Sequence, residues 1–106
     1  MHKVVYNNCF GGFSLSKEAV KLAKSYAEFG SPWHDVNKEY GFIYGIERHD
    51  KILVRVVEEL GEAASGMCAS LVVEEIPENV YRIDEYDGCE EVQVPDSIEW
   101  VFIKEE

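Results

Sequence analysis

The chain has 106 residues, 46% of them hydrophobic and 12% aromatic, a composition that predicts one packed domain over residues 1–106 and excludes a disordered protein. Its net charge of −11 is divided unequally: residues 1–57 hold eight Lys or Arg and six Asp or Glu, whereas residues 58–106 hold two and fifteen. Because the acidic half would repel a phosphate backbone, we expect no direct binding of nucleic acid.

Hydropathy and cysteine spacing predict the cellular compartment of the protein. No apolar run approaches the ~18 residues that a transmembrane helix requires, and Met1–Val5 lack the apolar stretch of a signal peptide. Cys9, Cys68 and Cys89 form neither a disulfide framework nor a CxxC metal motif. We therefore expect a cytoplasmic protein with reduced thiols, with no membrane contact and with no cofactor or metal.

The N-terminal stretch Val4–Ser16 predicts the end of a strand, a glycine turn and the start of a helix. The strand covers Lys3–Asn7, Gly11 and Gly12 permit a close approach of the backbone, and Ser16 is a good N-cap. Backbone N–H groups and the positive end of a helix dipole meet at such a turn, which is therefore a candidate anion site.

The first helix is predicted to end at Gly30, because Ser31-Pro32 prevents it from resuming. Residues 31–49 are the least regular part of the chain, and their aromatic residues are Trp33, Tyr40, Phe42 and Tyr44. A connection of this length in a small domain is usually functional or mobile. An insertion whose aromatics cover the edge of the core is an equally open alternative.

Asp50 is predicted to cap a second helix, whose apolar residues recur at helical spacing from Leu53 to Ala64. Gly61 either ends this helix early or permits a close helix crossing, and Gly66 is the predicted stop.

The remainder of the chain predicts β-structure, beginning with a strand at Ala69–Ile76 that stops at Pro77. A two-residue turn at Asp87-Gly88 predicts a hairpin between Val80–Tyr86 and Cys89–Val94, with Tyr86 opposite Cys89. Its predicted core face consists of Tyr81, Ile83, Val92 and Val94. In the same register Glu85 lies opposite Glu90, where the like charges are expected to be mildly destabilising. Ile98–Ile103 is predicted to add an edge strand.

Helices that precede a group of hairpin-connected strands are typical of an α+β fold. We expect two helices packed on one face of a mixed, mostly antiparallel sheet of three to five strands. The N-terminal strand would lie inside that sheet.

Four strings, Tyr6–Ser16, Arg48–Asp50, Val57–Gly61 and Glu85–Gly88, together resemble the signature of a family of small bacteriophage and bacterial proteins. The resemblance covers most of the chain outside residues 30–46, which it marks as an inserted loop. It implies a viral or prophage origin, in which case the compartment would be the host cytoplasm, and it implies no particular activity.

A small-ligand pocket is predicted if both helix starts open on the same side of the sheet. Arg48 would then offer a bidentate cation to an anion near the glycine turn, and Tyr6, Phe13 or Trp33 would stack on a base or ribose. The residues predicted to contact the ligand are Asn7, Cys9, Gly11, Gly12, Phe13, Ser14, Trp33, Arg48, His49, Asp50 and Tyr86. The alternative that Arg48 is an ordinary surface residue stays open.

Two other chemistries compete with ligand binding. Cys9 could be a thiolate activated by the helix start with His49 as its base, although buried cysteine acting as a small hydrophobe is commoner. The pairs His34-Asp35 and His49-Asp50 contain metal-ligand residue types, but adjacent residues rarely ligate the same ion well.

Three functions follow from these patterns. The first is a non-catalytic binding protein for a small phosphate-bearing, nucleotide-type ligand, and the phage resemblance suggests sequestration of a host immune signal. The second is an acidic inhibitor of a host defence protein, or a nucleic-acid mimic, that works through residues 58–106. The third is a small Cys–His hydrolase or transferase. A homodimer is compatible with each, because a small domain often covers an edge strand by pairing.

Overall fold

A computed structural model describes residues 2–27, 31–77 and 79–94, and within them it contains two α-helices and four β-strands. In chain order these are β1 (His2–Asn7), α1 (Lys17–Tyr26), α2 (Lys51–Leu60), β2 (Leu71–Ile76), β3 (Arg82–Tyr86) and β4 (Cys89–Gln93). Short 3-10 helices cover Pro32–Asp35 and Gly61–Ala64. The predicted α+β class is confirmed. The inserted loop at residues 30–46 stays a prediction.

The strands are divided between two sheets. β1 pairs antiparallel with β2, β3 pairs antiparallel with β4, and no third strand joins either pair within the described residues. The prediction that the N-terminal strand is interior is therefore not met. On its second edge, the N–H of Val5 donates to the carbonyl of Arg48 at 2.8 Å. The N–H of Asn7 donates to the carboxylate of Glu90 at 2.9 Å, so a side chain replaces a strand there.

The β3–β4 hairpin has the predicted register, from Tyr86 opposite Cys89 to Ile83 opposite Val92. Its two-residue turn has positive φ at both positions, 51° at Asp87 and 88° at Gly88, as a type I′ turn requires. The predicted edge strand at residues 98–103 lies outside the described residues.

Both helix starts are confirmed, whereas both helix ends differ from prediction. Ser16 caps α1 by accepting the N–H of Ala19, and Asp50 caps α2 by accepting the N–H of Leu53. α1 ends at Tyr26, four residues before the predicted stop at Gly30, which is not among the described residues. α2 ends at Leu60, and Gly61 takes φ of 58°. The alternative that Gly61 ends this helix early is therefore confirmed, and the preferred stop at Gly66 is wrong.

Two hydrophobic clusters lie on opposite faces of β1. The larger contains fourteen buried residues, among them Val5, Trp33 and Leu53, and joins β1 to both helices. The smaller contains Val4, Ile76, Val92 and Val94, and joins the two sheets. Adjacent residues of a strand point to opposite faces, so Val4 and Val5 each anchor one cluster. No helix in the described part is long and apolar enough to span a membrane.

Candidate functional site

The glycine turn is occupied by the protein's own chain. A Cβ atom at Gly11 would clash with the backbone carbonyl of Cys68, and one at Gly88 would lie 2.6 Å from the backbone nitrogen of Gly12. Gly12 itself needs glycine for its φ of 85° rather than for space. The close approach that the sequence assigned to a ligand is therefore made by the segments around Cys68 and Gly88.

Asn7 is a structural junction. It is fully buried, and its Nδ2 donates to the carbonyls of Cys9 at 2.7 Å and Gly88 at 2.8 Å. Its Oδ1 accepts the N–H of Ser70 at 2.8 Å. Both amide hydrogens and the amide oxygen are thus engaged, so this side chain orders the chain around it rather than facing a ligand.

Arg48 is already paired within the protein. Its Nη1 and Nη2 donate to Oε1 and Oε2 of Glu90 at 2.5 and 2.7 Å, and its guanidinium lies 3.9 Å from the ring centre of Phe13. The two charged side chains are only 16% and 8% exposed. Glu90 thus occupies the bidentate position that was predicted for a ligand anion. The assignment of Arg48 and Phe13 to a ligand site stays a prediction.

Three more predicted contacts have structural roles. Trp33 is fully buried, and its indole N–H donates to Asp50 at 2.9 Å, so it has no face available for a base. Asp50 meanwhile caps α2 with the same oxygen. The carbonyl of Ser14 accepts the N–H of Gly66 at 2.7 Å, which holds the turn against the chain after α2.

His49 is a predicted residue that opens onto a cavity. Its Nδ1 lies 2.7 Å from the hydroxyl of Tyr81, and the two rings meet edge to face with centres 5.7 Å apart. The cavity is bordered by the first residues of β1, whereas Cys9 follows the far end of that strand. The structure therefore does not bring Cys9 and His49 together as a catalytic pair.

That cavity, which we call the α2 pocket, has a volume of about 530 Å³. Its lining residues are His2, Lys3, Val4, His49, Lys51, Val54, Arg55, Glu58, Ile76, Asn79 and Tyr81. Among the described residues they combine an apolar floor with three cations, two imidazoles, one phenol and a single carboxylate. In a chain of net charge −11, an excess of positive charge among the described lining residues suggests an anionic ligand.

The three cations of the α2 pocket differ in whether they already pair with a carboxylate. Lys3 donates to Glu58 at 2.8 Å, and this hydrogen bond raises the pKa of the lysine. Arg55 donates to Glu59 at 2.8 Å. Lys51, the first residue of α2, forms no ion pair within the described residues. Lys51 is thus the cation most available to a ligand.

Burial affects the phenol that borders the pocket. It raises the pKa of Tyr81, and the nearby Glu47 acts in the same direction. Tyr81 therefore remains a neutral hydrogen-bonding group at physiological pH, when it can share its hydroxyl with His49 and present its ring to the cavity.

A second cavity, which we call the acidic cleft, borders the β3–β4 hairpin and has a volume of about 560 Å³. Its lining residues are Tyr6, Asn8, Phe10, Asp84, Glu85, Tyr86, Cys89, Glu90 and Glu91. Tyr86, predicted to contact the phosphate-bearing ligand, lies here among carboxylates and is 80% exposed. Its surroundings oppose an anion, so it belongs to a different surface from His49.

Several residues of the α2 pocket were missed by sequence reasoning: His2, Lys3, Lys51, Arg55 and Tyr81. A signal existed for two of them. Lys51 and Arg55 are four residues apart and share a helix face, directly after His49. His2 and Lys3 lie in β1 and Tyr81 directly precedes β3, so only the tertiary fold places them beside α2. No group of three or more His, Cys, Asp or Glu side chains suited to a metal occurs in the described ranges.

Comparison of the chain with protein-family models, curated proteins and solved structures finds no significant match.

Proposed function

We propose that this protein binds a small phosphate-bearing ligand of nucleotide type in the α2 pocket, without catalysing its conversion. The observation that carries the proposal is the excess of positive charge among the described residues that line this cavity, where Lys3, Lys51 and Arg55 outnumber the carboxylate of Glu58. Of these cations, Lys51 forms no ion pair within the described residues. Its volume of about 530 Å³ lies within the range of ordinary small-molecule sites.

The two sides of the pocket suit the two parts of a nucleotide. Lys51 and His49 lie at the start of α2, where a helix dipole favours negative charge, and they would contact the phosphate. Tyr81 and the apolar floor of Val4 and Ile76 would contact the base and ribose. If the phage resemblance holds, sequestration of a nucleotide-type host immune signal is the corresponding biological role.

The proposal is tested by native mass spectrometry of the purified protein, followed by calorimetric titration with ADP. Adenosine and inorganic phosphate are the controls for the two halves of the probe. Lys51→Ala should weaken ADP binding by about 1.5–3 kcal/mol, the value of a hydrogen bond to a charged group. Lys51 is exposed and unpaired, so this variant should keep the stability of the parent protein.

Arg82→Ala is the matched control, because it also removes one exposed positive charge but lies outside the α2 pocket. It should leave ADP affinity unchanged. The proposal fails if ADP does not bind and no phosphate-bearing mass accompanies the native protein. It also fails if folded Lys51→Ala binds ADP as tightly as the parent.

The acidic cleft supports a second candidate, the inhibition of a basic host protein. Three aromatic rings, Tyr6, Phe10 and Tyr86, border it together with carboxylates, an arrangement that favours arginine or lysine side chains. Glu85→Lys with Glu91→Lys tests this surface, and should abolish capture of such a partner while leaving ADP binding intact. Glu90 must be left unchanged, because it is buried against Arg48.

A further inference from the structure

A third cavity, of about 520 Å³, lies between α1 and the chain that follows the first 3-10 helix. We call it the lysine groove, and its lining residues are Lys17, Val20, Lys21, Lys24, Asn37, Lys38 and Glu39. Four ammonium groups thus surround one groove, in which Glu39 is the single carboxylate among the described lining residues. Lys17, Lys21 and Lys24 share a face of α1 by their spacing, and Lys38 approaches from the opposite wall.

The charges of the lysine groove are held in place without being neutralised. Lys24 donates to the carbonyl of Val36 at 2.5 Å, and Lys38 donates to the carbonyl of Phe42 at 2.8 Å. Lys17 lies 5.6 Å from the ring centre of Tyr40. Within the described residues, no ion pair joins any of the four lysines to a carboxylate. They therefore remain available to phosphate groups, which lysine binds as a point charge.

A row of exposed aromatic rings continues directly from the groove. Tyr40, Phe42 and Tyr44 are 58%, 39% and 84% exposed, and Phe42 and Tyr44 meet with ring centres 4.8 Å apart. The segment that carries these rings is anchored to the core, because Ile43 is buried and Gly41 exchanges two backbone hydrogen bonds with Leu15. Large aromatic rings presented to water on an anchored segment indicate a binding surface.

We propose that the lysine groove and this aromatic row together bind a short segment of single-stranded nucleic acid. Lysines along a groove follow the phosphates, and flat aromatic faces stack on unpaired bases whatever their sequence. The four cations are all lysines, which are depleted at protein–protein interfaces, where arginine is enriched. The composition of the groove therefore favours a phosphate chain over an acidic protein.

This proposal differs from the expectation drawn from net charge, because the structure separates the charges. The groove and the row lie entirely within residues 17–44, and none of the hairpin carboxylates lines the groove. Interactions between exposed charges are screened beyond about 8 Å at physiological ionic strength. The site therefore presents its own local excess of positive charge to a short strand.

The experiment is fluorescence anisotropy of a labelled oligodeoxythymidylate of about ten nucleotides, within the site sizes of single-strand binding folds, titrated with the full chain at several salt concentrations. Lys21→Ala and Lys38→Ala should each reduce the slope of log K against log salt by about 0.7. Tyr44→Ala should weaken binding roughly five- to 150-fold at an unchanged slope, because it removes stacking without removing charge.

Lys51→Ala removes the same charge from the α2 pocket and should change neither the slope nor the affinity for the oligonucleotide. Arg82→Ala removes an exposed charge that lines neither cavity, and it should change neither ADP binding nor oligonucleotide binding. Because Lys51→Ala affects ADP alone, failure of this proposal is distinguishable from failure of the proposed function. Absence of binding at low salt would overturn the inference. Equal binding of polyglutamate, together with an inert Tyr44→Ala, would overturn it in favour of an acidic protein partner.

Discussion

At the scale of single residues, the pair of Arg48 and Glu90 shows how a buried charge differs from a binding charge. The sequence predicted Arg48 as a free cation because its partner lies 42 residues away. The alternation of Glu90, Val92 and Val94 nevertheless places Glu90 on the core face of β4, and a buried carboxylate requires a cation. This part of the site was therefore predictable from the hairpin register.

Arg48→Ala is predicted to reduce the free energy of unfolding by about 3–5 kcal/mol, because it leaves Glu90 buried without its counter-ion. Urea denaturation measures the change. Arg82→Ala is the matched control, since Arg82 pairs with Asp84 at an exposed position and should contribute at most ~1 kcal/mol. Equal losses for the two variants would show that Arg48 is not the structural cation described.

At the scale of elements, turn and cap chemistry decided which predictions succeeded. The hairpin register followed from Asp87-Gly88 because a two-residue turn leaves no freedom in strand pairing. The preferred stop of α2 was placed too late because the apolar residues beyond Gly61 suggested a longer α-helix. These residues form a 3-10 helix instead. The glycine turn was located, but its role depends on Cys68 and Gly88, whose approach no local pattern encodes.

Gly11→Ala and Gly12→Ala are predicted to lower stability for different reasons and by different amounts. Gly12→Ala places a side chain at φ of 85° in open space and should cost about 1–2 kcal/mol of stability. Gly11→Ala forces a methyl group into the Cys68 carbonyl, so the backbone must move and the loss should be larger. Thermal melts of both variants show which loss of stability is larger. A milder loss for Gly11→Ala would contradict the close packing of Gly11 against the Cys68 carbonyl.

Gly12→Val extends this comparison, since a β-branched residue tolerates positive φ worse than alanine does. We expect Gly12→Val to destabilise more than Gly12→Ala, whereas Gly12→Asn should be milder because asparagine accepts this conformation. If the three variants unfold at the same temperature, conformational strain at position 12 is not the cause.

At the scale of the whole molecule, two hydrophobic clusters of unequal size join the elements: the larger joins β1 to the helices, and the smaller joins the two sheets. The class and the core face of the hairpin were predictable because periodicity records which side of each element is buried. The division into two sheets was not, because it depends on the Glu90 side chain bonding to the edge of β1. Tyr6 and Tyr81 pack against the smaller cluster, which links the sheets.

These two tyrosines predict a loss of stability in alkali. Burial raises the pKa of Tyr6 and of Tyr81 above the ordinary value of 10.0. Below pH 10.0 both tyrosines are protonated in the folded and in the unfolded state, and the stability that they contribute is fully present. As the pH rises from 10.0 towards the folded pKa values, the unfolded chain loses protons first and the folded state loses its advantage.

Urea denaturation across this alkaline range measures the effect. Tyr6→Phe and Tyr81→Phe should each make the free energy of unfolding less dependent on pH, because phenylalanine packs similarly but does not ionise. The control is Tyr86→Phe, at a side chain that is 80% exposed. A parallel decline in all three variants and the parent would contradict the role of these two half-buried tyrosines.

The junction at Asn7 has a consequence for the order in which the chain can fold. Its hydrogen bonds reach Ser70, Gly88 and Glu90, at separations of 63, 81 and 83 residues. At ribosomal rates of about 5–20 residues per second, β1 would wait roughly four to seventeen seconds for its last partner to be synthesised. During that interval the strand exposes an unpaired edge, and only the arrival of the hairpin completes it.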